Sequence, residues 1–289
     1  MVNQTLTLLT ISIGLDPDLF RVGGLTITWH GLITAAAILV GVGLAVNLGK
    51  RFNYGEDDAY GVAVVGVAGG IIGARALYVM ENWKSLDMPW ERFRVTEGGI
   101  SIWGAIIGGI VCGLAYGLWR RLVPWRGLDI GAMGLILGMA VGRIACLVTG
   151  DTFAKSSHLP WAVEYTNVHS PGFGYGPQHP AVAYEMIGDL LILGIMALMV
   201  LRVRLKAGCA FASLLVLYSL MRFGVSYLRV DSAFVIKDWI TVPQFMSILG
   251  LGLGLLVMVV VRLRPASWPE QPDPTVRAGL AGQSGPKPA

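Results

Sequence analysis

The feature that most constrains this chain is a recurring run of about 20 apolar residues, the length an α-helix needs to cross the hydrocarbon core of a bilayer. Such runs occupy Trp29–Leu48, Ala59–Met80, Ile100–Trp119, Leu128–Val148, Val182–Leu201, Cys209–Leu228 and Ile240–Val261. Inside lipid a backbone has to satisfy its own hydrogen bonds, so each run is expected as a helix. The predicted fold is an all-α integral membrane protein with seven transmembrane helices. Composition agrees, since at 54% hydrophobic and 14% charged residues a chain of this length has too little polar surface for a water-soluble domain.

The basic residues near the span ends set an orientation. Lys50, Arg51, Arg120, Arg121, Arg126, Arg202, Arg204, Lys206, Arg262 and Arg264 fall on one side of the alternating spans. Arg21, Lys84, Arg92, Arg94, Lys155, Arg229 and Lys237 fall on the other, mixed with more carboxylates. The positive-inside bias makes the first side cytoplasmic, with the N terminus outside and the C terminus inside. The net charge of +4 is dispersed in short groups, which suits anionic lipid and excludes a nucleic-acid partner. Residues Met1–Ile13 lack a basic start and a small-residue cleavage pattern, so no removable signal peptide is expected.

The spans and their loops make one transmembrane domain, residues 1–264. Two segments on the outer side, 81–99 and 149–180, are long enough to build a small cap, and the alternation over Leu159–Tyr165 predicts a short strand there. Residues 265–289 are rich in Pro, Gly and Ala without periodicity and are expected as a disordered cytoplasmic tail. Gly66, Gly69, Gly70 and Gly73 in the second run, with Gly104, Gly108, Gly109 and Gly113 in the third, predict close helix packing.

Arg75, Arg143 and Arg222 interrupt apolar runs. An arginine at mid-bilayer costs about 2.5–3.5 kcal/mol on the translocon scale, so each needs a partner or a function. Arg222, Ser226 and Arg229 share one helical face at i, i+4 and i+7. Guanidiniums grouped at bilayer depth suit phosphate, because the planar fork donates two parallel hydrogen bonds and keeps its charge. Asp151, Glu185 and Asp231 are the nearby carboxylates; Glu185 reads either as a counter-ion or as a proton acceptor. His30 beside Trp29 reads as an interfacial anchor or as a base, His179 before Pro180 as a turn residue, and Cys146 as a small buried residue. With no GxSxG elbow, HExxH pair, GxxxxGK[ST] loop or CxxC spacing, no cofactor and no metal are expected.

Taken in order, Trp29-His30-Gly31-Leu32, Gly73-Ala74-Arg75, Glu97-Gly98-Gly99-Ile100-Ser101-Ile102-Trp103-Gly104, Gly142-Arg143-Ile144, Leu159-Pro160-Trp161-Ala162, His179-Pro180 with Tyr184-Glu185, and Met221-Arg222-Phe223 with Arg229 resemble the prolipoprotein diacylglyceryl transferase family. The resemblance runs across all seven spans. It implies a bacterial plasma (inner) membrane enzyme that moves the diacylglyceryl group of phosphatidylglycerol onto the lipobox cysteine thiol of a prolipoprotein signal peptide, releasing glycerol 1-phosphate. The catalytic residues it implies are Arg143, Arg222 and Glu185; His30, which reads as an anchor or a base, is the further catalytic candidate. Arg143 again, with Arg75, Arg229, Asp151, Ser101, Tyr184 and His179, is expected to hold lipid and phosphate.

The departures from the family pattern gather at the same place. Cys146 and Thr149-Gly150-Asp151 stand where the family carries amides, His30 stands for a tyrosine, Trp103 for a histidine and Ser226 for a glutamate. The base that deprotonates the thiol is thereby left open among His30, Asp151 and Glu185. An alternative is a diverged paralogue that keeps the lipid pocket with another acceptor or without catalysis. A channel or transporter is disfavoured by the lack of pseudo-symmetric halves with broken helices.

Overall fold

The computed structural model describes residues 10–23, 25–83, 101–203, 205–236 and 239–265. Most of the expected cap segment 81–99 and all of the expected tail beyond residue 265 lie outside the described residues. Three strands, β1 (Ile11–Ile13), β2 (Asp18–Val22) and β3 (Leu25–Thr28), lead into α1 (Trp29–Arg51). There follow α2 (Glu56–Glu81), α3 (Ile102–Trp119), α4 (Pro124–Thr149), β4 (Val163–Tyr165), α5 (Ala181–Ala197), α6 (Cys209–Ser226), β5 (Phe234–Ile236), β6 (Ile240–Thr241) and α7 (Val242–Leu263). One π-helical stretch, Leu198–Val203, prolongs α5.

Among the described residues six helices are long and apolar enough to cross a membrane, and α3 adds a shorter apolar run, Gly104–Trp119. The protein is a helical, multi-pass membrane protein. The expected strand at Leu159–Tyr165 is confined to its last residues, β4. The strands of the N-terminal arm were not anticipated: β2 and β3 pair as a hairpin, while β1 pairs in parallel with β4, Ile11 opposite Val163 and Ile13 opposite Tyr165.

The described residues divide into two compact units, the first within residues 45–130, the second formed by those up to residue 44 with residues 131–265. In the first, α2 and α3 meet through glycine. A Cβ on Gly69 would strike the Cys112 side chain and the Gly108 carbonyl oxygen, the latter at 2.8 Å, and Cβ atoms on Gly73 and Gly104 would each strike the other's carbonyl. The predicted small-residue seam is therefore a backbone-to-backbone contact. The ends of this unit are tied by the Tyr54 hydroxyl, which donates to the Val123 carbonyl at 2.6 Å, and by the ion pair Arg120–Asp58 at 2.7 Å.

The second unit uses the same device between α1 and α4, where a Cβ on Gly41 would lie 2.6 Å from the Gly134 carbonyl oxygen. Gly254 of α7 seats against Leu215 and Val216 of α6. The loop after α4 is organised around Gln178, whose side-chain oxygen accepts the Ala154 N–H at 2.8 Å while its backbone exchanges hydrogen bonds with Val163. Residues 153–155 then lie beside 228–230: Lys155 N–H donates to the Leu228 carbonyl at 2.8 Å and Val230 N–H to the Phe153 carbonyl at 3.1 Å. This pairing fixes Arg229 just beyond α6.

Candidate functional site

The site lies wholly within the second unit and is built on α4, α5 and α6. Glu185, one turn into α5, is completely buried. Its carboxylate faces Arg143 of α4, with Arg143 Nη1 2.7 Å from Glu185 Oε2. Arg222 of α6 pairs with Glu185 Oε1, and Arg229 Nη1 reaches the same oxygen at 3.4 Å. Three guanidiniums thus converge on one buried carboxylate. Arg229 is held from its other side by Asp231, with Nε to Oδ1 at 3.0 Å and Nη2 to Oδ2 at 2.6 Å. Burial works against ionisation of Asp231, yet the Arg229 fork and the Phe153 N–H keep its carboxyl below the usual range.

Two members of this cluster escaped sequence reasoning. The Tyr218 hydroxyl accepts a hydrogen bond from Arg143 Nη2 at 3.4 Å, and Asp189 Oδ2 lies 3.9 Å from Arg143 Nε. Asp189 is fully buried and accepts no hydrogen bond among the described residues. The signal for it was present: a carboxylate inside the apolar run after Glu185, four residues on, calls for the same explanation as a buried arginine.

With Ser226 in place of the glutamate of the family pattern, Arg222 pairs with Glu185 instead. Ser226 is buried and its hydroxyl donates to the Phe223 carbonyl at 2.6 Å. Tyr184 receives a hydrogen bond from Trp161 Nε1 at 2.8 Å, and the His179 ring packs 6.3 Å from the Tyr184 ring. The His179 N–H donates to the Lys155 carbonyl at 3.0 Å. Arg75 and Ser101 belong to the other unit. There the Arg75 guanidinium lies 5.3 Å from the Tyr78 ring centroid, and Ser101 precedes α3 with its N–H donated to the Ala74 carbonyl at 2.9 Å.

A second cluster sits one turn further along α4. Cys146 follows Arg143 by three residues, so the two occupy neighbouring positions on one face. Asp151 comes after the helix end, where Gly150 takes a φ of +73°. A side chain at Gly150 would meet Ser170 Oγ at 2.5 Å and the Tyr165 ring at 2.7 Å, so the turn demands glycine on both counts. Asp151 does not pair with the arginines but with His30, Nδ1 to Oδ2 at 2.9 Å. Burial works against the ionised Asp151, but His30, the Cys146 thiol and the Thr152 hydroxyl hold its carboxyl below the usual range. The nearby Tyr165 hydroxyl is pushed up to about 12 by burial and by the Asp151 charge.

These features define a class: a multi-pass membrane protein in which three arginines gather on one buried carboxylate. The sequence profile described as prolipoprotein diacylglyceryl transferase matches residues 17–260, and the chain belongs to that family. It is similar to the phosphatidylglycerol--prolipoprotein diacylglyceryl transferase of Nostoc sp. (strain PCC 7120 / SAG 25.82 / UTEX 2576), 34% identical over 261 residues that cover 86% of this chain and 91% of the relative. The proteins of the same name from Staphylococcus xylosus and Clostridioides difficile (strain 630) are 31% and 28% identical, over 88% and 85% of this chain and 96% and 95% of their own lengths.

Proposed function

We propose that this protein transfers the diacylglyceryl group of phosphatidylglycerol to the lipobox cysteine thiol of a prolipoprotein, releasing glycerol 1-phosphate. The observation that carries the reading is the convergence of Arg143, Arg222 and Arg229 on Glu185. Before lipid enters, Glu185 offsets the repulsion among three buried cations, which otherwise costs more than their solvation can return. When phosphatidylglycerol enters, its phosphate takes up the donor capacity of these forks. The sulfur lone pair forms the new bond to the glyceryl carbon, the carbon–oxygen bond to phosphate breaks, and the electron pair stays on the phosphate. Charge builds where the guanidiniums already point, so stabilisation there lowers the barrier.

Glu185, engaged by three arginines, acts as their electrostatic partner. The thiol's proton passes to solvent water at the His30–Asp151 corner, beside Arg143 on the α4 face. All seven helices cross a bacterial plasma (inner) membrane, α3 included, with the N terminus and the loop after α4 outside and residues beyond Arg264 in the cytoplasm. A diverged lipid-binding paralogue gains no support from relatives that carry the transferase name.

The test is mass spectrometry of a lipobox peptide incubated with the full chain in phosphatidylglycerol nanodiscs. Wild type should add one diacylglyceryl group to the cysteine peptide and none to its serine analogue. Arg143→Lys and Arg222→Lys should each lose at least about tenfold in rate, since a point charge cannot reproduce the fork and a lost hydrogen bond to a charged group costs roughly 1.5–3 kcal/mol. Near-normal rates in both lysine variants would sink the guanidinium argument.

A further inference from the structure

We propose that His30, Cys146 and Asp151 form a binding site for one zinc-class divalent ion, with the fourth coordination position open to an external thiolate. One ligand atom from each residue, imidazole nitrogen, Sγ and carboxylate oxygen, lies within 4.8 Å of the others. With metal–ligand bonds of about 2.0–2.3 Å, tetrahedral coordination places ligand atoms roughly 3.3–3.8 Å apart. Closing the triangle therefore takes about 1 Å of side-chain movement, and the His30–Asp151 contact of 2.9 Å opens by a few tenths.

The surroundings support the set as well as its geometry does. Asp151 is aimed by the Gly150 turn and steadied at its other oxygen by the Thr152 hydroxyl, at 3.3 Å. Supporting hydrogen bonds of that kind orient ligating carboxylates. His30 is fixed at the start of α1, where the Trp29 N–H donates to the Pro17 carbonyl at 3.0 Å. Cys146 is a free, partly exposed thiol on the last turns of α4. Imidazole with thiolate selects a zinc-class ion over magnesium or calcium. Electrostatics agree, because a thiolate, a carboxylate and a divalent cation sum to zero, the charge least costly at the edge of a bilayer.

Three protein ligands with a vacant fourth position are the pattern of a catalytic site, whereas structural zinc sites close all four. Only the identity of the fourth ligand rests on the transferase reading. On that reading the acceptor's sulfur enters the open position and its S–H proton passes to solvent water. The thiolate is then held on an ion ligated by Cys146, three residues from Arg143 along α4, and attacks the glyceryl carbon as described. The sequence predicted no metal, because this set is drawn from residues 30, 146 and 151 and has no short-spacing signature.

The experiment uses the full chain in detergent micelles, stripped with chelator and titrated with cobalt(II), then with zinc(II). One equivalent of cobalt should bind and show a thiolate-to-cobalt charge-transfer band together with the strong visible bands of four-coordinate cobalt; zinc should displace it. Cys146→Asn should remove the charge-transfer band, and His30→Tyr and Asp151→Asn should each weaken binding at least tenfold, while Cys209→Ser should change neither. A lipobox cysteine peptide should strengthen the band and a serine peptide should not. Absence of stoichiometric binding, or a band that persists in Cys146→Asn, overturns the site. Binding that ignores both peptides overturns the fourth-ligand assignment alone, and failure of the transferase reading shows separately in the mass-spectrometric assay.

Discussion

The α2–α3 pair and the α5–α6 pair join helices by opposite means. Between α2 and α3 side chains are removed from the seam, so that Gly69 and Gly73 lie on the backbone of Gly108 and Gly104. Between α5 and α6 long side chains are inserted, and Glu185 is tied to Arg222 and to Arg229 beyond the helix end. Lipid tails are as apolar as leucine, so neither pair has a hydrophobic drive to associate. The glycine seam gains dispersion contact and asks only that nothing be added. The charged seam asks that nothing be taken away, and it alone offers groups that can bind an anion.

The contrast can be broken in four places. The largest effect should come from Glu185→Ala, which strands buried guanidiniums and should cost about 3–5 kcal/mol of stability, read as a lower melting temperature in micelles. Removing Arg222 as well should recover part of that loss; a single variant as stable as wild type would mean that the carboxylate is not holding the seam. Next, Gly73→Val forces a branched side chain into the Gly104 backbone and should cost about 1–3 kcal/mol, with transferase rates per folded molecule unchanged.

A smaller effect is expected from Asp231→Asn. Because Arg229 holds the Asp231 carboxyl below its usual range, the pair contributes stability above about pH 4, and that contribution is lost as pH falls through the lowered value. Relative to wild type, the variant should lose about 1 kcal/mol at pH 7 and nothing in strong acid; a deficit constant with pH would rule out the ion pair as its cause. Smallest of all should be Gly194→Ala on α5, where no atom lies within 4 Å of an added Cβ. Melting should then stay within about 0.5 kcal/mol of wild type, and a larger loss would show that this glycine also serves a seam.

The helices were legible because a 20-residue apolar run has one stable form in lipid, and Arg143 and Arg222 were legible because a charge within such a run demands a reason. What the sequence left open is how those charges are satisfied. From sequence Glu185 reads as a base or as a counter-ion, and nothing local to residue 185 announces that three arginines meet at it. Tyr218 carried no signal, since an aromatic residue in an apolar helix is ordinary. Asp189 does carry one, because a carboxylate within an apolar run calls for a partner as an arginine does. The strands of the N-terminal arm were hidden for another reason: Ile11 pairs with Val163, and no local pattern announces a partner 152 residues away.

The pairing of residues 153–155 with 228–230 sets an order of assembly. Arg229 takes its place only after α5 and α6 have left the ribosome, about 75 residues after the strand-like segment it joins. At roughly 5–20 residues per second that interval is about 4–15 s, long compared with helix formation or loop closure. During it Glu185 emerges and enters the bilayer with Arg143 as its sole arginine partner within the cluster, and the third cation arrives last. The nascent chain therefore carries the carboxylate before its full set of arginine partners, which is complete only once residue 229 has been made.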